Sequence, residues 1–181
     1  MTLDTVALVN DRLATNLDQA FADLVREMER PVYSGVRRMV PTGADAEDVT
    51  HEVFIRAYRA LAEYPPERIR QLNLRAWVWT IAMNLCRNAA RTRSRRPRTV
   101  ELDRDAFASG PGPEGHALID AENQRWSQLL RQLPVAQRNA VILRHIVGLP
   151  YAEIAAATGR AEGTVKADVH RGIATLKEAL S

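Results

Sequence analysis

A basic stretch runs from Arg68 to Val100 without a single acidic residue. Its guanidinium groups would repel one another unless they met an anion, so a phosphate backbone is their natural partner. A disordered basic tail between two domains is the alternative, although the two tryptophans near its start argue against pure disorder. We expect Trp77 to lie in the core. Trp79, two residues on, must point elsewhere and either stacks on an exposed base or is buried against a neighbouring helix.

A second pattern lies between Leu149 and Leu180, where the sequence predicts a short helix, a turn and a longer helix. Gly159 stands where the short helix must end and the chain must turn through positive φ, which glycine does at little cost. The apolar residues of the longer helix recur at helical spacing: Val165, Val169, Ile173, Leu176 and Leu180. Its opposite face is small, polar and partly basic. This pattern is typical of a helix-turn-helix whose second helix enters the DNA major groove, and a plain helical hairpin with a solvated face is the alternative.

Catalytic and metal-binding chemistry has no recognisable pattern in this sequence. The four histidines are scattered, and together with Cys86 they do not form the spacing of a zinc site. The adjacent acids Glu47 and Asp48 lie on a predicted helix surface, without the buried cleft that general acid–base catalysis requires. The glycines and prolines of 110–113 do not form a nucleotide-binding loop. We therefore predict no enzymatic activity, no metal and no cofactor.

The composition favours helices and a reducing compartment. Alanine, leucine and arginine dominate, aromatic residues make up 6% of the chain, and the net charge is +3. A single cysteine cannot form an internal disulfide. No apolar run approaches the ~18 residues of a membrane span, and an N-terminus that carries Asp4 and Asp11 does not resemble a signal peptide. We expect a cytoplasmic protein.

The predicted fold is all-α, with two small helical domains joined by a flexible linker. Residues 97–121 carry repeated prolines and glycines, show no periodicity and contain more acids than bases, as is typical of a linker. A loop of this length is uncommon inside one compact domain, so we place the domains at 1–96 and 122–181. Because the linker is acidic, it could occupy a groove that nucleic acid fills at another time.

Apolar periodicity predicts the helices of both domains. Ahead of the helix-turn-helix they span residues 18–40, 45–64, 74–96, 122–132 and 135–147, after a loosely patterned leading helix at 1–17. Pro31 is expected to kink or restart the first of these, and Asp45 to cap the second. Residues 67–73 are expected to form a polar loop. In the C-terminal domain we expect Trp126 to pack and Gly148 to end its helix.

Two separate stretches resemble one protein family. Asp45–Leu61 is similar to the conserved-region-two helix of bacterial RNA polymerase sigma factors, and Arg75–Leu85 is similar to the promoter-melting helix that follows it. The region-four motifs of that family have counterparts in Leu133-Pro134, Gln137-Arg138, Leu149–Ala155 and Gly163–Lys166. Residues 20–180, with a direct linker between two domains, resemble the extracytoplasmic-function (ECF) class, which lacks the intervening third domain.

The resemblance implies docking on core RNA polymerase. The helix at 45–61 matches the element that binds the coiled coil of the β′ subunit, and the matching positions are Asp48, His51, Glu52, Phe54 and Arg56. An acidic, partly apolar helix face suits a basic helical partner. Region four is implied to bind the β flap. An anti-sigma factor, often membrane-bound, is implied to cover the same docking surfaces.

The resemblance also implies two contacts with promoter DNA. The loop at 63–73 matches the segment that holds a base flipped from the minus-ten element. Residues matching the minus-ten and melting surface are Tyr64, Arg68, Arg70, Asn73, Arg75, Trp77, Trp79, Asn84, Arg87, Asn88 and Arg91. Those matching the reader of the minus-thirty-five element are Thr164, Lys166, Ala167, Asp168, His170 and Arg171.

The chain departs from the family pattern at Ala167-Asp168, where Ser-Arg is usual. A carboxylate near a DNA phosphate would be repulsive. Asp168 could instead accept a hydrogen bond from cytosine N4, or it could pair with Arg160 or Arg171 and position them.

Two other classes of function compete with a sigma factor. A helix-turn-helix regulator would bind duplex DNA alone, but it would need neither the acid-free arginine stretch with its tryptophans nor the docking-like helix at 45–61. An enzyme acting on nucleic acid would need a metal or an acid–base cluster. The sequence therefore favours a factor that binds core polymerase and opens promoters.

Overall fold

The computed structural model describes residues 3–94 and 126–180, and every regular element in these two parts is a helix. The N-terminal helices are α1 (Leu3–Thr15), α2 (Leu17–Met39), α3 (Gly43–Glu63), α4 (Pro66–Arg70) and α5 (Leu74–Ser94). The C-terminal helices are α6 (126–132), α7 (Val135–Val141), α8 (Tyr151–Thr158) and α9 (Glu162–Leu180), with a π-helical segment at Ile142–Ile146. The all-α prediction is confirmed. The predicted linker at 97–121 lies outside the described residues.

Helix α2 is one helix of 23 residues that continues through Pro31, so the proline does not restart it. One face buries Leu24, Met28 and Val32. Proline removes a single backbone hydrogen bond from a helix interior, and the burial of this apolar face on both sides of Pro31 outweighs that loss.

The N-cap of α3 is Thr42, and the prediction of Asp45 at this position was wrong. The Thr42 hydroxyl accepts a hydrogen bond from the Asp45 backbone N–H at 3.0 Å and donates one to the Asp45 carboxylate at 2.7 Å. Asp45 thus lies in the first turn, where its charge suits the positive end of the helix dipole. Along the inner face, Val53, Ala57 and Leu61 are fully buried.

The segment predicted as a polar loop contains the short helix α4. Ile69 anchors it, since this side chain is buried in an otherwise exposed turn. Helix α1 packs against α4, and Asn10 Nδ2 donates a hydrogen bond to the Leu72 carbonyl oxygen at 2.7 Å. The weakly patterned N-terminal segment is therefore part of the domain, with Leu13 fully buried.

Two glycines end helices in the C-terminal domain as predicted. Gly148 has φ 77° and Gly159 has φ 67°, a region that L-residues with a side chain rarely adopt. The predicted α-helix over 135–147 changes at Ile142 into a π-helical segment, whose buried side chains are Ile142 and Leu143. Trp126, which was expected to pack, is 41% exposed.

The two domains share a hydrophobic core. Helix α8 packs along α5, and the Arg75 guanidinium donates a hydrogen bond to the Val147 carbonyl oxygen at 2.9 Å. Gly35 of α2 lies under the same contact: a Cβ at this position would stand 2.5 Å from Cη2 of Trp79 and 3.0 Å from a methyl of Val147. The absence of a side chain at Gly35 thus lets α2 approach the indole of Trp79.

Candidate nucleic-acid interface

Helix α5 presents two opposite faces. One is a ridge of half-buried and exposed side chains spaced three, four or seven residues apart, which places them on one side of a helix. We call it the α5 stripe, and its members are Trp77, Asn84, Arg87, Asn88 and Arg91. The guanidinium of Arg87 donates to the side-chain oxygen of Asn84 at 3.0 Å. The stripe is polar and basic, with an aromatic ring at its N-terminal end.

The aromatic end of the stripe is a three-residue cluster. The rings of Tyr64 and Trp77 lie 6.0 Å apart at an interplanar angle of 56°. The guanidinium carbon of Arg68 lies 3.6 Å from the centroid of the Tyr64 ring, within the range of a cation–π contact. Tyr64 and Trp77 are half-buried and Arg68 is exposed. Because Arg68 covers one face of the Tyr64 ring, the partly exposed ring of Trp77 is the surface on which a nucleic-acid base can stack, next to a positive charge.

The opposite face of α5 is occupied by the C-terminal domain. Trp79 is fully buried, and Arg75 binds Val147 as described above. Asn73 accepts from the Ala76 N–H at 3.2 Å, at the start of α5, and its amide reaches Glu153 of α8 at 3.5 Å. Asn73, Arg75 and Trp79 therefore connect the domains in this arrangement, although the resemblance implied DNA contacts for all three.

The structure corrects the environment expected for Trp77 and decides between the two alternatives for Trp79. A helix turns by about 200° over two residues, so Trp77 and Trp79 must face opposite ways, but this spacing does not say which of them faces the core. Trp79 is the fully buried residue, and the expected alternative of burial against a neighbouring helix is the one observed. Trp77 keeps a partly exposed ring.

Arg70, also implied to contact DNA, forms ion pairs within its own domain. Its Nε lies 2.9 Å from a carboxylate oxygen of Asp11, and Nη1 lies 3.9 Å from Glu67. These acids cancel part of the positive charge at this point of the surface. Within the described residues, no carboxylate forms an ion pair with Arg68 or Arg87, so the positive charge of this surface is concentrated along the α5 stripe and at its aromatic end.

The exposed face of α9 carries the other predicted DNA contacts. Thr164, Lys166, His170 and Arg171 are exposed, and Ala167 is half-buried. Lys166 Nζ pairs with Glu162 at 2.7 Å, and this hydrogen bond and the charge of Glu162 raise the pKa of Lys166. The lysine therefore stays protonated, with its positive charge partly balanced by a neighbouring acid.

Asp168 does not lie on this exposed face. The residue is 3% exposed, and its carboxylate accepts hydrogen bonds from Arg160 and, at 2.7 Å, from Arg171. A carboxylate whose two oxygens are engaged below the surface does not reach a base edge, so the predicted contact with cytosine is not possible in this arrangement. Of the alternatives raised by the sequence, pairing with the two arginines is the one observed.

The outer face of α3 carries the predicted docking residues, with one correction. Asp48, His51 and Arg56 are exposed and Glu52 is half-buried, and Arg56 Nε pairs with Glu52 at 2.6 Å.

Phe54, by contrast, is buried. It precedes Ala57 by three residues and Leu61 by seven, which places it on the core side, and this spacing could have revealed the error. Ile55, which the sequence analysis did not select, is 40% exposed and provides the apolar part of this face.

Comparison with known proteins identifies the family. The model of sigma-70 region 2 matches residues 24–96, and the model of sigma-70 region 4 matches residues 123–176. Over 170 residues the chain is 33% identical to the ECF RNA polymerase sigma-E factor of Escherichia coli, and the match covers 89% of this chain and 86% of that protein. The chain belongs to the ECF sigma factors. It is also 34% identical over 161 residues to the ECF RNA polymerase sigma factor SigE of Mycolicibacterium smegmatis, covering 88% of this chain and 61% of that protein.

Solved structures share the fold of this sigma factor. CnrH, solved in complex with the cytosolic domain of CnrY, superposes with a TM-score of 0.73 at 23% identity over 97% of this chain and 96% of that one. The sigma factor RpoE of Bartonella quintana, solved with the anti-sigma factor NepR, superposes with a TM-score of 0.69 at 23% identity. The match covers 88% of this chain and 96% of that one. The matches to sigma-70 regions 2 and 4 and to ECF sigma factors make this chain a transcription initiation factor that acts with RNA polymerase at promoters.

Among the helices of the described residues, none is both long enough and apolar enough to cross a membrane. Within the same parts of the chain, no three or more histidine, cysteine or acidic side chains are grouped so that they could hold a metal ion.

Proposed function

We propose that this sigma factor divides promoter recognition between two surfaces. The α5 stripe, with Tyr64 and Arg68 at its end, binds the separated strand of the minus-ten element. The exposed face of α9 reads the minus-thirty-five duplex. The observation that carries this proposal is that the aromatic cluster and the exposed polar and basic side chains of the stripe lie on the same side of α5, which faces away from the C-terminal domain.

The chemistry of the stripe suits single-stranded nucleic acid. Stacking on an aromatic ring contributes about 1–3 kcal/mol per base and does not require a particular base. Trp77 supplies such a ring and Tyr64 supports it. Arg68 and Arg87 supply charge for phosphates, and Asn84 can donate and accept hydrogen bonds at a base edge. A duplex would hide the faces of its bases, so this surface acts after the strands separate.

The outer face of α3 is proposed to dock on the β′ coiled coil of core polymerase. Asp48 and His51 supply the polar part of this face and Ile55 an apolar anchor, while Phe54 supports the helix from the core side. Acidic groups complement a basic partner and accelerate association, whereas a desolvated apolar side chain supplies much of the affinity. The C-terminal domain is proposed to bind the β flap.

This sigma factor is further proposed to act in the cytoplasm, without a catalytic reaction of its own, and to be held inactive by an anti-sigma factor. Support comes from RpoE, which has the same fold as this chain and was solved in complex with the anti-sigma factor NepR. The exposed outer face of α3 and the exposed stripe of α5 are surfaces that such a regulator would cover.

The test uses the full chain assembled with core RNA polymerase and a fork-junction DNA whose minus-ten element is single-stranded. Replacing Asn84 and Arg87 together by alanine is expected to weaken binding to this DNA by about 30-fold or more, since the loss of one neutral and one charge-assisted hydrogen bond costs about 2 kcal/mol at the least. Arg30→Ala removes an exposed arginine of α2 and serves as the matched control.

Equal binding of the fork-junction DNA by the double variant and by the control would show that the α5 stripe does not bind the separated strand. Measuring the assembly of each variant with core polymerase separates this result from a failure of docking. If all variants assemble equally, any difference in binding to the fork-junction DNA belongs to the DNA contact.

A further inference from the structure

Asp168 joins two parts of the helix-turn-helix. Its carboxylate accepts from Nη1 of Arg160, in the turn between α8 and α9, and from Nη2 of Arg171, which lies three residues further along α9. The exposed fractions of the three side chains differ sharply: 4% for Asp168, 35% for Arg160 and 57% for Arg171. A single buried acid therefore holds one arginine from the turn and one from the exposed surface of the helix.

Both arginines keep hydrogen-bond donors after this pairing. A guanidinium carries five N–H groups in a rigid fork, and Asp168 binds one nitrogen of each. The remaining donors of Arg171 extend to the surface of α9. A free arginine side chain has about 2 kcal/mol of rotamer entropy to lose when it binds, and an arginine already held by a carboxylate has lost part of it before DNA arrives.

We propose that Asp168 is a positioning residue for duplex recognition, which fixes the guanidinium groups of Arg160 and Arg171 in one arrangement and cancels part of their charge. Helix α9 then selects DNA through the geometry of these donors more than through attraction to any phosphate backbone. This inference rests on the proposed function of α9. It also explains why an acid can occupy a DNA-reading helix: the carboxylate is below the surface, and only the arginines meet the nucleic acid.

The experiment measures binding of the complete holoenzyme to duplex promoters randomised across the minus-thirty-five element, at several salt concentrations. Arg171→Ala is expected to reduce discrimination among these sequences by about tenfold, the usual scale for losing one arginine contact to a base. Asp168→Ala is expected to reduce discrimination by a similar factor. The same variant should bind non-specific duplex more tightly and with a steeper salt dependence, because two cationic groups lose their counter-charge.

Variants combined in a cycle distinguish positioning from a general structural role. If Asp168 acts through Arg160 and Arg171, adding Asp168→Ala to the double variant Arg160→Ala/Arg171→Ala should not reduce discrimination further. A structural role would instead lower binding to every sequence equally, would leave base preference intact, and would add to the effect of the double variant. Asp168→Asn keeps the shape and an acceptor oxygen while it removes the charge, so its expected discrimination lies between those of wild type and Asp168→Ala.

The outcomes separate this inference from the proposed function. Unchanged base preference in Arg171→Ala would overturn α9 as the reader, and the positioning role with it. A changed preference in Arg171→Ala, but not in Asp168→Ala or Asp168→Asn, would overturn the positioning role alone. If Asp168→Ala does not fold, as thermal unfolding would reveal, the comparison of Asp168→Asn with Arg171→Ala gives the same decision.

Discussion

The two tryptophans of α5 provide a direct test of the fold and of the interface together. Trp79 is fully buried, whereas Trp77 is half-buried in the aromatic cluster of the α5 stripe. A buried tryptophan removes roughly 150–250 Å² from water, which corresponds to about 4–6 kcal/mol at 25 cal/mol per Å². Replacement of tryptophan by alanine in protein cores costs about 3–5 kcal/mol. We therefore expect Trp79→Ala to lower the free energy of unfolding by about 3–5 kcal/mol.

Alanine at Trp77 should instead lower stability only slightly and weaken DNA binding clearly. Only part of this side chain is buried, so Trp77→Ala should cost less than about 2 kcal/mol of stability. Its binding to single-stranded minus-ten DNA should weaken by about 1–3 kcal/mol through the loss of base stacking. Trp79→Phe is the matched control, because it keeps a large ring and removes an indole N–H that is buried without a hydrogen-bond partner among the described residues.

The assay is urea unfolding followed by far-ultraviolet circular dichroism, since fluorescence would change with the tryptophans themselves. Strand binding is measured on the assembled holoenzyme. A loss of stability for Trp77→Ala equal to that for Trp79→Ala would refute the assignment of the two faces of α5. Full strand binding by a folded Trp77→Ala variant would refute the stacking role.

Other predictions concern docking, ionisation and helix packing. Ile55→Ala should reduce affinity for core polymerase by about tenfold with little change in stability, as expected for an exposed anchor at an interface; pull-down titration measures this. Burial raises the pKa of the Cys86 thiol from 9.0 to about 12, so between these values the folded state keeps a proton that the unfolded state loses. The free energy of unfolding should therefore fall as pH rises above 9. Urea unfolding at several pH values measures this, and Cys86→Ala should flatten the dependence. A Cβ at Gly172 would lie 2.7 Å from a methyl of Val141, so Gly172→Ala should cost about 1–3 kcal/mol, whereas Gly163→Ala, with open space around it, should not lower the melting temperature.

Local patterns in the sequence predicted the helices well. Gly148 and Gly159 were recognised as helix ends because positive φ strongly favours glycine, and the structure has both there. The inner face of α3 follows from helical periodicity alone. Thr42 was missed as the N-cap because Asp45 is also a good capping residue and only three-dimensional geometry separates a cap from a first-turn acid.

Contacts between distant parts of the chain were not predictable in the same way. Periodicity shows that Trp77 and Trp79 face opposite sides of a helix, but the side that becomes the core depends on α2 and on the C-terminal domain, which lie far away in the sequence. The same holds for Arg75, whose partner Val147 is 72 residues away. Asp168 was an intermediate case, since both of its partners were within reach along one helix-turn-helix and pairing was one of the alternatives considered.

The contact between α5 and α8 leaves a polar atom without a partner among the described residues. One oxygen of Glu153 in α8 accepts a hydrogen bond from Asn73, while the other, Oε2, is buried with no hydrogen bond from the described residues. Such a group costs about 1–3 kcal/mol relative to the same group in water. Detachment of α8 would let solvent reach the stranded carboxylate oxygen and would recover that free energy. The free energy that holds α8 against α5 is thus smaller than their hydrophobic contacts alone would give.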